Sequence, residues 1–213
     1  MKLKTTLLTI PLLFSLGCTH PLTVTNLDDY RVPVSFPGEQ RPGLGIIRPY
    51  DSSLVMDETL NELSRFSKTI TFSPVPLSSV KNVDYWIDIS IRPSYSGSTW
   101  NLPINFPGFL VFMPAWHGYV YEVNYTVDVT ILQGGTLKLL DQFTVPFTFD
   151  VRHADINRTW TEVGWLETGI IPLVGGFFFI QFDDNVAELV PEKTKDVVAR
   201  KISRQIMDRI NQF

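Results

Sequence analysis

The sequence predicts an α+β fold, a two-layer sandwich in which helices cover one face of a mostly antiparallel sheet. Three observations support this prediction. Residues 119–131 alternate between apolar and polar side chains, which is typical of a strand with one buried face. A Gly-Gly turn and a second alternating stretch follow, so a long hairpin is expected. From Pro191 to Gln212 the apolar residues recur with a helical period.

The elements before the hairpin are shorter. We expect a first strand over Gly43–Pro49. Ser53 is a residue type that caps helices, and the amphipathic stretch after it predicts a helix over Leu54–Ser67. Two further strands are predicted over Thr69–Val75 and Asp84–Arg92.

Three details can be predicted within these elements. In the strand over Asp84–Arg92, the isoleucines face the core and Trp86 lies on the opposite, polar face. In the hairpin, Gly134 and Gly135 supply the positive φ angles that a tight turn needs. In the C-terminal helix, Pro191 occupies the first turn, where its missing N–H costs nothing.

Composition narrows the classes of partner. Eighteen Lys and Arg against 22 Asp and Glu give a net charge of −4, and no basic run exists that could neutralise phosphates. Nucleic acid is therefore not expected as a partner. A metal site is not predicted, because it would need more ligands than the sequence brings together. A cofactor is not predicted either, because the Gly-Gly pairs lack the context of a phosphate-binding loop.

The N-terminus predicts a leader followed by an arm and one domain. Lys2 and Lys4 precede an apolar stretch of about 12 residues, which is too short to span a bilayer. Gly17-Cys18 ends it, and Cys18 is the one cysteine of the chain. We interpret residues 1–17 as a signal peptide, 18–42 as a lipidated tether and 43–213 as a single α+β domain. An ordinary secretory signal with a chance cysteine remains the alternative.

Two apolar insertions, 93–118 and 160–182, interrupt that domain. The stretch from Pro93 to Tyr121 contains no Asp, Glu, Lys or Arg. The candidate residues for contact with a partner or a membrane are Trp100, Phe106, Phe109, Phe112, Trp116, Trp160, Trp165, Phe177 and Phe178. Such loops either complete the core of the protein or form an apolar contact surface. Under the second interpretation, deleting Asn101–Ala115 would leave the fold stable.

Catalytic residues are not predicted. The three histidines, His20, His117 and His153, are far apart in the sequence, and His20 falls in the tether. His153 and Asp155 lie close together but have no nucleophile motif nearby, so a surface turn is the favoured interpretation. A hydrolase with unrecognised residues is the least favoured alternative.

Ser15-Leu16-Gly17-Cys18 resembles the lipobox of bacterial lipoproteins. The order of strands and helices resembles small outer-membrane lipoproteins, such as those of curli secretion and the auxiliary lipoproteins of envelope transport. The resemblance implies cleavage before Cys18 and lipid on its thiol. Thr19, where aspartate would favour retention in the inner membrane, implies the outer membrane, with the protein facing the periplasm.

The resemblance leads to a functional hypothesis. We expect a non-enzymatic accessory or assembly subunit of an envelope machine, attached to the membrane through its N-terminal lipid and contacting a protein partner. Self-association into a homo-oligomer is left open. The alternative is a periplasmic binding module that encloses a lipid or glycan ligand.

Overall fold

The structure is a computed structural model and describes residues 19–33, 41–47, 53–105, 108, 113–155 and 184–213. The strands are β1 (Thr19–Val24), β2 (Gly43–Ile47), β3 (Thr69–Ser73), β4 (Tyr85–Gly97), β5 (Tyr119–Gln133) and β6 (Leu139–Asp155). A 3-10 helix (Leu27–Tyr30) follows β1, and the α-helices are α1 (Leu54–Phe66), α2 (Asn101–Asn105), α3 (Met113–His117) and α4 (Asp184–Ile210). The predicted signal peptide and the insertion 160–182 lie outside the described residues.

The six strands form one sheet in the order β1-β6-β5-β4-β2-β3. β1 pairs antiparallel with β6, whereas β2 pairs parallel with both β3 and β4. α1 connects β2 to β3, as a parallel pair requires a crossover. β5 is antiparallel to both of its neighbours, since residues 120 and 134 at its two ends hydrogen-bond to residues 98 and 84 at the two ends of β4, and a short turn joins it to β6. The predicted α+β fold with a mostly antiparallel sheet is therefore confirmed.

The described residues group into two compact units. The first takes residues up to Thr25, from Tyr95 to Val123 and from Phe149 to Val190, and the second takes Asn26–Ser94, Asn124–Thr148 and Pro191–Phe213. β4, β5, β6 and α4 each contribute residues to both units. The division into signal peptide, tether and single domain stays a prediction.

The predicted alternation is confirmed along β5 and in β6 from Val145 onwards, whereas Leu139, at the start of the predicted apolar face of β6, is 53% exposed. Every odd-numbered residue of β5 from Tyr119 to Ile131 is buried, and so is every odd-numbered residue of β6 from Val145 to His153. Two cross-strand contacts on the even-numbered face fix the register: the Thr148 hydroxyl donates to Asn124 Oδ1 at 2.6 Å, and the Thr144 hydroxyl donates to Asp128 Oδ1 at 2.7 Å. Side-chain pairs of this kind stabilise neighbouring strands.

In the second unit, α1 begins and packs as its sequence predicts. The Ser53 hydroxyl accepts a hydrogen bond from Met56 N at 3.2 Å, which is the predicted N-cap. The Ser203 hydroxyl of α4 donates to the carbonyl of Thr59 in α1 at 3.3 Å. Both residues are fully buried. This buried polar contact joins the two helices.

Trp86 alternates with polar residues and was therefore expected on the polar face of β4, but it is buried. Its side chain is fully buried, and its Nε1 donates to the carbonyl of Leu77 at 3.2 Å. The ring lies against Gly45 of β2, where a Cβ atom would be only 2.3 Å from it. The absence of a side chain at residue 45 makes room that the local pattern around residue 86 cannot reveal.

The hairpin turn also differs from its prediction. The residue with positive φ is Leu137, at 56°, and neither Gly134 nor Gly135 has one. Gly134 has a different role, because a Cβ atom there would lie 1.9 Å from the carbonyl oxygen of Val83. Its N–H donates to the Asp84 carbonyl at 2.8 Å. Glycine is therefore present for close approach of two backbones.

The C-terminal helix begins earlier than expected. It starts at Asp184, so Pro191 lies inside the helix and not in its first turn. An interior proline removes one backbone hydrogen bond. Val186, Val190 and Thr194 are fully buried on either side of it, which continues the apolar stripe at a spacing of four residues. The buried stripe therefore runs along the helix on both sides of the proline.

The residues predicted as an irregular arm include a strand. β1 pairs with β6 from Thr19 opposite Asp155 to Val24 opposite Val151, with a register shift between His20 and Thr23. The shift spans Pro21, which has no N–H for a ladder and is tolerated at such irregularities. The pairing partner is about 130 residues away in the sequence, so the local composition did not indicate a strand.

We predict that Gly45→Ala lowers the free energy of unfolding by about 1–3 kcal/mol, because the new methyl group overlaps the buried Trp86 ring. Urea-induced unfolding measures the change. Gly135→Ala is the matched control, since nothing lies within 4 Å of a Cβ atom at that position. Equal losses of stability in the two variants would contradict this account of the Trp86 pocket.

Candidate functional site

Two tryptophans of the first insertion are exposed in the first compact unit. Trp100, directly before α2, is 70% exposed, and Trp116, in α3, is 75% exposed. α2 and α3 contact each other. Gly108 lies between them, because a Cβ atom there would be 2.6 Å from the Pro103 carbonyl and 3.1 Å from the Met113 side chain. We call Trp100 and Trp116 the tryptophan pair.

The same insertion also contributes to the core. Asn101, Ile104, Asn105 and Ala115 are all buried. The two interpretations of the insertion therefore apply to different residues, since these four pack inside the unit and the tryptophan pair does not. Deleting Asn101–Ala115 would remove these buried residues, which argues against the expectation that the deletion leaves the fold stable; that expectation stays a prediction.

Asn101 fixes the position of α2 on the edge of β5. Its Oδ1 accepts from Val120 N at 2.7 Å, and its Nδ2 donates to Val120 O at 2.9 Å. The Ser98 N–H donates to the same carbonyl at 3.0 Å. The amide group thus supplies the donor and acceptor that a neighbouring strand would supply. Asn105 adds a second contact, since its Oδ1 accepts from the Tyr119 hydroxyl at 2.9 Å.

All three histidines of the chain lie in this unit: His20 is in β1, His117 is at the end of α3 and His153 is in β6. His153 Nδ1 lies 3.1 Å from the carbonyl oxygen of His20. Gly118 ends α3 with a φ of +72°, and a Cβ atom there would lie 2.7 Å from His20 Cδ2 and 3.1 Å from His153 N. His117 Nδ1 lies 3.0 Å from the Gly118 carbonyl. Glycine at residue 118 permits both the left-handed conformation and this close packing.

The electrostatic environment disfavours a proton on His20. Burial lowers the pKa of His20 below its ordinary value of 6.5, and the charge of Arg152 and the two neighbouring histidines lower it further. A hydrogen bond from its ring to the backbone of Ala115 acts in the opposite direction. The buried His20 Nε2 has no hydrogen-bond partner among the described residues, so a proton placed there would be poorly solvated.

Sequence reasoning missed this cluster and the role of Asn101. His20 lies in a strand and not in a tether, and His153 is a buried strand residue and not part of a surface turn. The one sequence signal was the small number of histidines. Within the described part of the chain, no three His, Cys, Asp or Glu residues are arranged to hold a metal ion.

The second compact unit contains a cleft of about 370 Å³. It is lined by Leu27, Arg31, Val32, Lys193, Asp196, Val197 and Arg200. Two of its three cations already have carboxylate partners: Arg31 is 2.8 Å from Asp28, and Arg200 is 3.6 Å from Glu62. A ligand for this cleft is not indicated, and the binding-module alternative stays a hypothesis.

Eight of the predicted site residues lie outside the described residues: Cys18, Phe106, Phe109, Phe112, Trp160, Trp165, Phe177 and Phe178. Their assignment to lipidation or contact stays a prediction. Among the helices that the structure describes, none has the length and apolar character needed to cross a membrane.

Comparisons with known proteins give no family. No protein-family model and no curated protein matches the chain. Among solved structures, the chain is similar to a minor lipoprotein from Acinetobacter baumannii, with 12% identity and a TM-score of 0.45 over 81% of this chain and 94% of that one.

Two other solved structures are similar at the same level. One is an uncharacterized lipoprotein B from Nitrosomonas europaea, with 12% identity and a TM-score of 0.42 over 78% of this chain and 83% of that one. The other is a neuraminyllactose-binding hemagglutinin homolog from Helicobacter pylori, with 9% identity and a TM-score of 0.39 over 83% and 89%. Because all three TM-scores are below 0.5, these likenesses carry no argument about the role of this chain.

We predict that Asn101→Ala lowers the free energy of unfolding by about 1–3 kcal/mol, because it leaves the N–H of Val120 without its acceptor in a part-buried site. Asn61→Ala is the control, since Asn61 is exposed on α1 and makes one long contact, 3.4 Å to Glu58. Thermal and urea unfolding of both variants measure the difference. If the two substitutions have the same small effect, Asn101 does not fix the insertion.

We also predict a pH dependence that originates from His20. Between its lowered pKa and 6.5, the unfolded chain binds more protons than the folded chain, so stability is lost as the pH falls from 6.5 towards the lowered pKa of His20. His20→Asn should reduce the loss when urea midpoints are compared from about pH 7.5 to about pH 5.5. An unchanged pH dependence in the variant would show that other groups cause it.

Proposed function

We propose that this chain is a non-enzymatic, lipid-anchored protein of the bacterial envelope that acts as an accessory or assembly subunit of an envelope machine. It would be attached at the outer membrane, on the periplasmic face. The observation that carries this proposal is the tryptophan pair, an aromatic surface for contact with a partner or with the membrane, which is exposed on a backbone that Asn101 holds in place.

The anchor is supported by the leader and by the position of β1. Gly17-Cys18 ends a short apolar leader, and β1 begins at the next residue, Thr19. A lipid on Cys18 would therefore join directly to a strand of the sheet and not to a long arm. Two or more acyl chains give durable attachment, whereas one chain gives weak and reversible attachment.

The contact surface is supported by the contrast within the insertion. Tryptophan is enriched where proteins contact other surfaces, because its ring is large and apolar and its N–H can still find a partner. Here two tryptophans remain exposed although Ile104 and Ala115 of the same insertion are buried. The exposure is thus a feature of a folded segment, and it indicates a surface that another molecule covers.

We predict that Cys18→Ser moves the protein from the membrane fraction to the soluble periplasmic fraction and abolishes labelling with palmitate. The substitution removes the thiol that would carry the lipid. Ser15→Leu is the matched control, because the lipobox prefers leucine at that position and the variant should stay lipidated. Firm membrane attachment of the Cys18→Ser protein would contradict the proposed anchor.

A further inference from the structure

We propose that the tryptophan pair contacts lipid, in the interface of the same bilayer that holds the acyl chains on Cys18. The occupant of this surface is thus a phospholipid headgroup region and not a second protein. The inference rests on the proposed function, because it requires the lipid anchor.

The first argument is the short path from the lipid to α3. Only Thr19 separates Cys18 from His20, so even a fully extended chain places the two residues at most about 7 Å apart. The His20 ring contacts Gly118 at the end of α3 and hydrogen bonds to the backbone of Ala115 within α3. Trp116 lies between these two residues in the sequence. A bilayer that holds the acyl chains therefore lies close to Trp116.

The second argument is the chemistry of the indole ring. Tryptophan concentrates at membrane–water interfaces, where the ring contacts apolar chains and the N–H reaches headgroups or water. Trp100 and Trp116 are 70% and 75% exposed, so most of each ring is available. Met113, in the same helix as Trp116, is 36% exposed and adds apolar surface.

The third argument is the absence of fixed charge. From Pro93 to Tyr121 the sequence contains no Asp, Glu, Lys or Arg, and His117 is its one histidine. Bringing this stretch to a bilayer therefore desolvates no permanently charged side chain. Protein interfaces, in contrast, usually surround their aromatic centre with a polar rim and are enriched in arginine. The composition favours lipid over a protein partner.

The experiment uses the full-length, lipidated protein in vesicles of phosphatidylethanolamine and phosphatidylglycerol. Acylation blocks Cys18, so a spin label attached to Met113→Cys occupies one site and leaves both tryptophans in place. Leu139→Cys is the control, because Leu139 is 53% exposed and lies at the start of β6 in the second unit. Flotation of the vesicles reports the anchor separately from the label.

We expect the label at residue 113 to be relaxed by oxygen, which concentrates in lipid, more than by a water-soluble nickel complex. The label at residue 139 should show the opposite order. Adding Trp100→Ser and Trp116→Ser to the Met113→Cys protein should make residue 113 accessible to the nickel complex, with flotation and circular dichroism unchanged.

Three outcomes would overturn the proposal. If the protein floats with the vesicles but residue 113 is as water-accessible as residue 139, the lipid contact is wrong and the anchor stands. If residue 113 is water-accessible in lipid vesicles but shielded in native membrane vesicles, a protein covers the surface. If the lipidated protein does not float, the anchor is wrong, and this proposal fails with it.

Discussion

The pairing of β1 with the end of β6 is the contact on which the first compact unit depends. It places Thr19 opposite Asp155 and His20 opposite Ala154. Once β1 is fixed, the His20 ring can pack against Gly118, and α3 contacts the strand. The position of the proposed lipid attachment point relative to Trp116 therefore follows from backbone pairing and the packing of one histidine.

Polar contacts inside the insertion explain how its tryptophans stay exposed. A long segment without strands must satisfy its backbone groups in other ways, and buried polar groups are costly when they are not paired. The Asn101 side chain hydrogen-bonds to both the N–H and the carbonyl of Val120, and Asn105 Oδ1 accepts a hydrogen bond from the Tyr119 hydroxyl. With these bonds made, Ile104 and Ala115 are buried, and the tryptophan pair faces outward on a fixed backbone.

The sequence predicted those features that local pattern determines. Alternation located β5 and β6, and Ser53 located the start of α1, because a strand face and an N-cap depend on neighbouring residues. The sequence-based prediction failed where the environment of a residue depends on residues far away in the chain. The Trp86 ring is buried because Gly45 has no side chain, and β1 forms because β6 offers an open edge about 130 residues later. The histidine cluster has the same origin, since two strands and one helix from distant parts of the chain bring it together.

Photo-crosslinking in intact envelopes tests the central claim most directly. A benzophenone amino acid in place of Trp116 is compared with the same group in place of Leu139, which is exposed in the second unit. The account predicts adducts with phospholipid at residue 116 and none at residue 139. Adducts with protein alone at residue 116, or equal lipid adducts at both positions, would contradict it.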